Sequence, residues 1–173
     1  MTENYFELFG LEPIFNIDYS SLENNYRKIQ SESHPDRFVT SEPAVKLKSM
    51  QLATLTNEAY QTLKSPANRA VYLLTLHGIT AISETNTAMP TDFLMQQMEW
   101  REAIDDAKAA KNISALDNLL AEIKQEAKAL NSNLAIELDT QKDYTAASTS
   151  TRKLIFMDKL SIDIHKVIEQ LEN

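Results

Sequence analysis

One short segment of the chain combines side chains that could carry out acid–base or metal chemistry. His34 and Asp36 are separated by Pro35 and followed by Arg37. An imidazole, a carboxylate and a guanidinium can donate hydrogen bonds, accept them and pair charge. Because Pro35 lacks a backbone N–H and disfavours a helical conformation at His34, we expect the preceding helix to end near Ser33. The segment is therefore predicted to be a tight, non-helical loop that is exposed to solvent.

The rest of the sequence does not complete a catalytic or metal site around this loop. Pro35 splays the two side chains apart, and the other histidines, His77 and His165, are distant in sequence. The chain has no cysteine and no glycine-rich phosphate loop, so we expect no metal ion and no cofactor. We expect His77 at a helix C-terminus and His165 on an ordinary bundle helix. An enzyme that uses His34 and Asp36 is the least favoured hypothesis.

Composition limits the class of protein and of partner. The 173 residues, 43% hydrophobic and 24% charged, are typical of one or two small soluble domains. A net charge of −8 argues against nucleic acid or an anionic membrane as the main partner. We see no apolar run long enough to span a membrane and no secretory signal, which with the absence of cysteine favours the cytoplasm. The presence of only two glycines, with few alternating apolar runs, favours an all-α fold.

The segments on either side of the loop have the apolar spacing of helices. Asp18 can cap a helix that ends near Ser33, and Pro43 can open the next one. Two helices of similar length joined by a short loop should form an antiparallel hairpin with the loop at its tip. The predicted apolar stripes are Leu22, Tyr26 and Ile29 on the first helix, and Leu52, Leu55, Ala59, Tyr60 and Leu63 on the second.

Arg27 and Lys28 lie off the stripe of the first of these helices. Two interpretations stay open. Spacing alone favours a solvated helical face, and the alternative is a basic contact surface beside the His34 loop.

Two shorter helices complete the first domain, which we place at residues 1–78. One should bury Phe6 and Phe9 and end at Gly10, since glycine often supplies the left-handed residue after a helix. The other should begin at Ser65-Pro66 and be closed by Gly78.

We predict a linker over residues 79–89, anchored by Ile79 and Ile82, and then a second domain over residues 90–173. Three long periodic segments, at roughly 90–108, 113–139 and 144–171, should form an antiparallel three-helix bundle. Residues 1–78 contain seven basic and nine acidic side chains, hence −2, and the remainder contains ten and sixteen, hence −6. The excess negative charge therefore belongs to the second domain.

The first bundle helix has apolar residues on two faces. At about 100° per residue, one face contains the predicted core residues Phe93, Trp100, Ile104 and Ala107. The other face carries Leu94, Met95 and Met98, close to Glu102 and Asp105. A second apolar patch beside acids is typical of a partner surface. The alternative, that this face packs against the first domain or the linker, is equally compatible with the geometry.

The order of these features resembles the J-domain of DnaJ-type co-chaperones. A short aromatic helix, a basic helix, His34-Pro35-Asp36 and then the run Asn57–Leu63 follow one another as they do in that domain. Further segments make the whole chain similar to the HscB family, the J-type co-chaperones of iron–sulfur cluster assembly. These are YFELFGL from Tyr5, NRAVYLLTLHG from Asn68, FLM from Phe93 and RKLIFMDKL from Arg152.

The resemblance implies two protein-binding surfaces. The J-domain would engage HscA, a DnaK-type chaperone ATPase, through His34, Pro35 and Asp36. The cations Arg27, Lys28 and Arg37 would be additional contacts. The bundle would bind the iron–sulfur scaffold IscU and deliver it to HscA, promoting cluster transfer. By alignment with the family, the scaffold-binding residues are Leu94, Met95, Met98, Glu99, Glu102, Asp106 and Phe156.

This sequence departs from the family pattern at a few positions and keeps the chemical character at each. Met98 stands where Leu is common, Asp106 where Glu is common, and Arg37 where many J-domains have Lys. The chain lacks the N-terminal cysteine zinc module of some members, which favours a bacterial-type protein of the cytosol. The alternative function is a J-domain co-chaperone that serves a different client of a general DnaK-type chaperone.

Overall fold

The described part of the computed structural model, residues 4–82 and 88–173, contains helices and no strands. This confirms the all-α prediction. The helices are α1 (Tyr5–Leu8), α2 (Tyr19–Ser33), α3 (Pro43–Lys64), α4 (Pro66–Leu76), α5 (Thr91–Ala109), α6 (Ile113–Ala135) and α7 (Tyr144–Glu172). A 3₁₀ turn, Pro35–Phe38, lies between α2 and α3, and a π-helical turn, Ile136–Thr140, continues α6. No described helix has the length and hydropathy needed to cross a membrane.

The helix ends occur where local sequence signals place them. The Asp18 carboxylate accepts hydrogen bonds from the N–H groups of Ser20 and Ser21 at the start of α2. Pro43 and Pro66 are the first residues of α3 and α4. Gly10 and Gly78 have φ values of +64° and +75°, a backbone region that glycine enters without a Cβ penalty. The predicted caps and breaks are confirmed.

The chain divides into two compact units, Met1–Leu73 and Leu74–Asn173. The division falls within α4. The sequence places the domain boundary later, at Gly78. Within the predicted linker, residues 83–87 lie outside the described part of the chain. Ala81 is buried, whereas Ile82 is 48% exposed, so the prediction that Ile82 anchors this segment is wrong.

In the first unit, α2 and α3 pack against each other. Phe6 and Phe9 are fully buried, as predicted, and the Tyr26 and Tyr60 rings stack at 4.0 Å. The predicted stripe of α3 is wrong in part. Leu52 and Leu55 are 37% and 40% exposed, and the buried residues of α3 are Ser49, Thr56, Ala59 and Leu63. The periodicity is helical, but the buried face is rotated away from two of its leucines.

In the second unit, α5, α6 and α7 each contact the other two and enclose one apolar core. The fully buried side chains include Leu116, Ile123, Leu134, Leu154, Leu160 and Ile164. The middle helix is shorter than predicted as a regular α-helix, because the π-helical turn replaces its last residues. His165 is exposed.

His77 has an aromatic partner that the sequence did not reveal. Its ring stacks on Tyr144 with centroids 4.4 Å apart, and its Nε2 lies 3.4 Å from the Tyr144 hydroxyl. His77 therefore has a packing role beyond the helix-end position that we predicted.

Candidate functional sites

The segment after α2 is a short 3₁₀ helix and not the non-helical loop predicted from Pro35. The helix α2 does end at Ser33, and His34 is extended with φ −58° and ψ 132°. Pro35 then begins a new turn, because its fixed φ suits the first position of a helix. The His34 Nδ1 accepts a hydrogen bond from the Asp36 N–H at 3.2 Å and caps this turn. Proline here acts both as the end of one helix and as the start of another.

One hydrogen bond joins the turn to the end of α2, and a second joins α3 to the same helix end. The Arg37 guanidinium donates to the Ser31 carbonyl at 3.0 Å, and the Ser49 hydroxyl of α3 donates to the Ser33 carbonyl at 2.7 Å. Both accepting groups belong to the last turn of α2, whose carbonyls lack helical partners. Arg37 is thus a structural cap as well as a surface cation. Ser49 escaped the sequence analysis, although the seven-residue spacing of Ser49, Thr56 and Leu63 could have indicated it.

The polar side chains of the turn are available to a partner. The side chains of His34 and Asp36 are 51% and 88% exposed, and the Nδ1-to-Oδ2 distance is 3.6 Å. The prediction that Pro35 splays these two side chains apart is therefore wrong. The described residues contain no group of three or more His, Asp or Glu side chains placed to hold a metal ion.

Arg27 and Lys28 are exposed on α2, as their position off the apolar stripe predicts. Arg27 pairs with Glu23 one turn earlier, with 2.6 Å between Nη2 and Oε1. An exposed ion pair of this kind contributes little to stability, so Arg27 can leave Glu23 and pair with a carboxylate of a partner at small cost in free energy.

The first bundle helix separates its apolar residues as the angular spacing predicts. Its buried residues are Phe93, Trp100, Ile104 and Ala107. Leu94, Met95 and Met98 are 44%, 59% and 71% exposed. We call the surface formed by Leu94, Met95, Met98, Glu99, Glu102, Asp106 and Phe156 the bundle patch.

A shallow groove of about 620 Å³ runs between α5 and α7 at one side of the bundle patch. Met98, Glu102, Asp106 and Phe156 line it together. The half-buried Phe156 ring packs edge-to-face on Phe93 with centroids 5.9 Å apart. The structure therefore brings the aromatic side chain of the last helix to the acidic and apolar side chains of the first.

The other members of the patch, Leu94, Met95 and Glu99, are exposed residues of α5 that do not line this groove. They extend the patch along the surface of the same helix.

The groove also contains residues that the predicted site omits. Gln97, Arg101 and Asp105 line it, and Arg101 spans from α5 to α7. Its Nη1 donates to the Asp163 carboxylate at 3.0 Å, and its guanidinium carbon lies 5.7 Å from the Phe156 ring centroid. The angular spacing places Arg101 about 20° from Leu94 on the helix, so the sequence alone could have placed Arg101 on the same face as the bundle patch.

Comparison with known proteins identifies the family. The family model described as the HSCB C-terminal oligomerisation domain matches residues 89–165. The co-chaperone protein HscB homolog of Paraburkholderia phymatum is 48% identical over 173 residues, which are 100% of this chain and 98% of the relative. The chain belongs to the HscB family.

Two solved structures extend this result to both units of the fold. Chaperone HscB from Vibrio cholerae has a TM-score of 0.85 and 38% identity, covering 98% of this chain and 99% of that one. The human co-chaperone protein HscB also has a TM-score of 0.85, with 30% identity over 95% of this chain and 81% of that one. The fold is thus a J-domain followed by a C-terminal three-helix bundle. Membership supports a J-type co-chaperone in iron–sulfur cluster assembly, a family of non-enzymatic proteins.

Proposed function

We propose that this HscB-family chain stimulates ATP hydrolysis by the DnaK-type chaperone HscA and delivers the scaffold IscU to it. The His34-Pro35-Asp36 turn provides the first activity, and the bundle patch provides the second. Delivery of the scaffold promotes transfer of its iron–sulfur cluster and maturation of iron–sulfur proteins. A cytoplasmic location, and the lack of a nucleic-acid or membrane partner, remain predictions from the sequence.

The geometry of the turn supports contact with the chaperone. Asp36 presents an 88% exposed carboxylate on a turn that begins at Pro35 and that the Arg37-to-Ser31 hydrogen bond joins to the end of α2. Such a carboxylate can accept charge-assisted hydrogen bonds from an arginine of the chaperone. Arg27, Lys28 and Arg37 add positive charge that attracts an acidic surface.

The observation that carries the proposal is the exposure of Leu94, Met95 and Met98 on a helix that already buries a separate core face. Neighbouring exposed apolar side chains of this kind mark protein-binding sites. Methionine side chains adapt to the shape of a partner. Glu99, Glu102 and Asp106 are exposed beside them, so the partner should present apolar groups surrounded by basic ones.

The turn is tested by the ATPase rate of HscA measured with increasing amounts of this protein. His34→Gln should abolish stimulation, since the amide cannot reproduce the ring that caps the Pro35–Phe38 turn. His165→Gln is the matched control, because it removes an exposed imidazole from the bundle. Stimulation by His34→Gln at the level of the unchanged protein would refute the assignment of the turn.

The alternative is a J-domain co-chaperone that delivers a different client to a general DnaK-type chaperone. Pulldown with IscU separates the two proposals. Retention of IscU on the unchanged protein, lost when Leu94, Met95 and Met98 are all replaced by Ala, supports the scaffold. Failure to retain IscU, combined with equal stimulation of HscA and DnaK, would favour the alternative.

A further inference from the structure

A basic residue lies among the acidic and apolar residues that line the groove beside the bundle patch. Glu102, Asp105 and Asp106 line it, and among the described residues that form its lining Arg101 has the one positive charge. An isolated cation within an acidic rim reduces the attraction for a basic partner.

Arg101 connects two helices through one aromatic ring. The guanidinium of this α5 residue donates to Asp163 of α7 at 3.0 Å, and the two side chains are 45% and 33% exposed. The same guanidinium lies over Phe156, which is about two helical turns before Asp163 on α7. Phe156 also packs edge-to-face with Phe93, a 7% exposed core residue. Phe156 thus contacts both a buried ring and a cation that is itself held by a carboxylate.

We propose that Arg101 and Asp163 are positioning residues for Phe156 in partner binding. A half-buried phenylalanine with few restraining contacts can adopt several rotamers. Molecules in which the ring points away from the groove cannot bind the partner, so these rotamers lower the fraction of binding-competent protein. The guanidinium restricts the ring by cation–π attraction, and the Asp163 carboxylate fixes the guanidinium. This inference rests on the proposed function, because it assumes that Phe156 contacts the IscU scaffold.

Arginine suits this role better than lysine. Its planar guanidinium can lie on an aromatic face while one N–H reaches a carboxylate, whereas an ammonium concentrates its charge at one point. Arg101→Lys should therefore restore only part of what Arg101→Ala removes. Asp163→Asn should have a smaller effect than Arg101→Ala, because it loosens the guanidinium and leaves it able to reach the ring.

The test is a double-mutant cycle of IscU affinity, measured by titration calorimetry on the full chain with Arg101→Ala, Phe156→Ala and the two combined. We expect Arg101→Ala to weaken binding by about threefold, the range of a partly exposed cation–π contact. The combined variant should bind like Phe156→Ala alone, because Arg101 acts through the ring. Additive losses would overturn the proposal and indicate that Arg101 contacts IscU itself.

Two measurements separate the remaining outcomes. Thermal unfolding of each variant reports any loss of bundle stability. If Arg101→Lys binds no better than Arg101→Ala, the role of Arg101 is structural and the proposal is overturned. NMR signals of the Phe156 ring in the free protein should shift in Arg101→Ala and partly return in Arg101→Lys. If Phe156→Ala leaves the affinity unchanged, the proposed scaffold site fails. If Phe156→Ala weakens binding and Arg101→Ala does not, only this inference fails.

Discussion

Replacing Leu94, Met95 and Met98 together by Ala should weaken IscU binding by about 100-fold. Full burial of a leucine or methionine side chain is worth about 1.5–3 kcal/mol. These three are 44%, 59% and 71% exposed, so roughly half of each remains to be buried by a partner. That share is about 1 kcal/mol per side chain and about 3 kcal/mol in total. At about 1.4 kcal/mol per tenfold change, the affinity falls about 100-fold.

The assay is titration calorimetry of IscU against the unchanged and the triple-substituted protein. The free energy of unfolding should change by only about 0.5 kcal/mol per site, because none of the three side chains belongs to the buried core. Ile162→Ala is the matched control, since Ile162 is 55% exposed on α7 and lies outside the bundle patch. Affinity of the triple variant within twofold of the unchanged protein would refute the reasoning, as would an equal loss in Ile162→Ala.

Three further predictions concern the J-domain. Arg69→Met should lower the free energy of unfolding by about 3 kcal/mol in urea titrations, because it removes two charge-assisted hydrogen bonds, from the buried guanidinium to the Phe15 and Leu63 carbonyls at 2.7 Å. A change no larger than that of exposed Arg27→Met would contradict this. Ser49→Ala should lower the free energy of unfolding by about 1 kcal/mol and reduce HscA stimulation, since its hydroxyl holds the Ser33 carbonyl next to the turn. Unchanged stimulation would show that Ser49 does not position the turn. Hydrogen bonds from Ser21 hold the pKa of Asp18 below its ordinary 3.8, so its ionised form stabilises the fold above about pH 4. This stabilisation should be lost as the pH falls through the lowered pKa, and Asp18→Ala should show a flatter acid-unfolding curve than the unchanged protein.

The sequence was most informative where a local residue decides the backbone. Asp18, Pro43 and the two glycines act within a few residues of their own position, so the helix ends could be predicted from them. The separation of Trp100 from Met98 on α5 could likewise be predicted, because one helix repeat determines both directions.

The sequence was least informative where a second helix decides the outcome. Periodicity predicted Leu52 and Leu55 in the core of α3, but the packing of α3 against its neighbours buries Ser49 and Thr56. The Ser49 hydroxyl donates there to a main-chain carbonyl of α2. Arg101 and Phe156 are far apart in sequence, and their contact follows from the packing of α5 on α7. Resemblance to the family supplied Phe156 but not the cation above it.

The division of function between the turn and the bundle patch is tested most directly by the ATPase rate of HscA, measured with this protein and IscU added separately and together. We expect both together to stimulate more than this protein alone. His34→Gln should abolish the stimulation in every mixture. The triple Ala variant at Leu94, Met95 and Met98 should keep the stimulation seen without IscU and lose the additional increase. Stimulation by His34→Gln, or an IscU-dependent increase that survives in the triple variant, would contradict the division of function between the turn and the bundle patch.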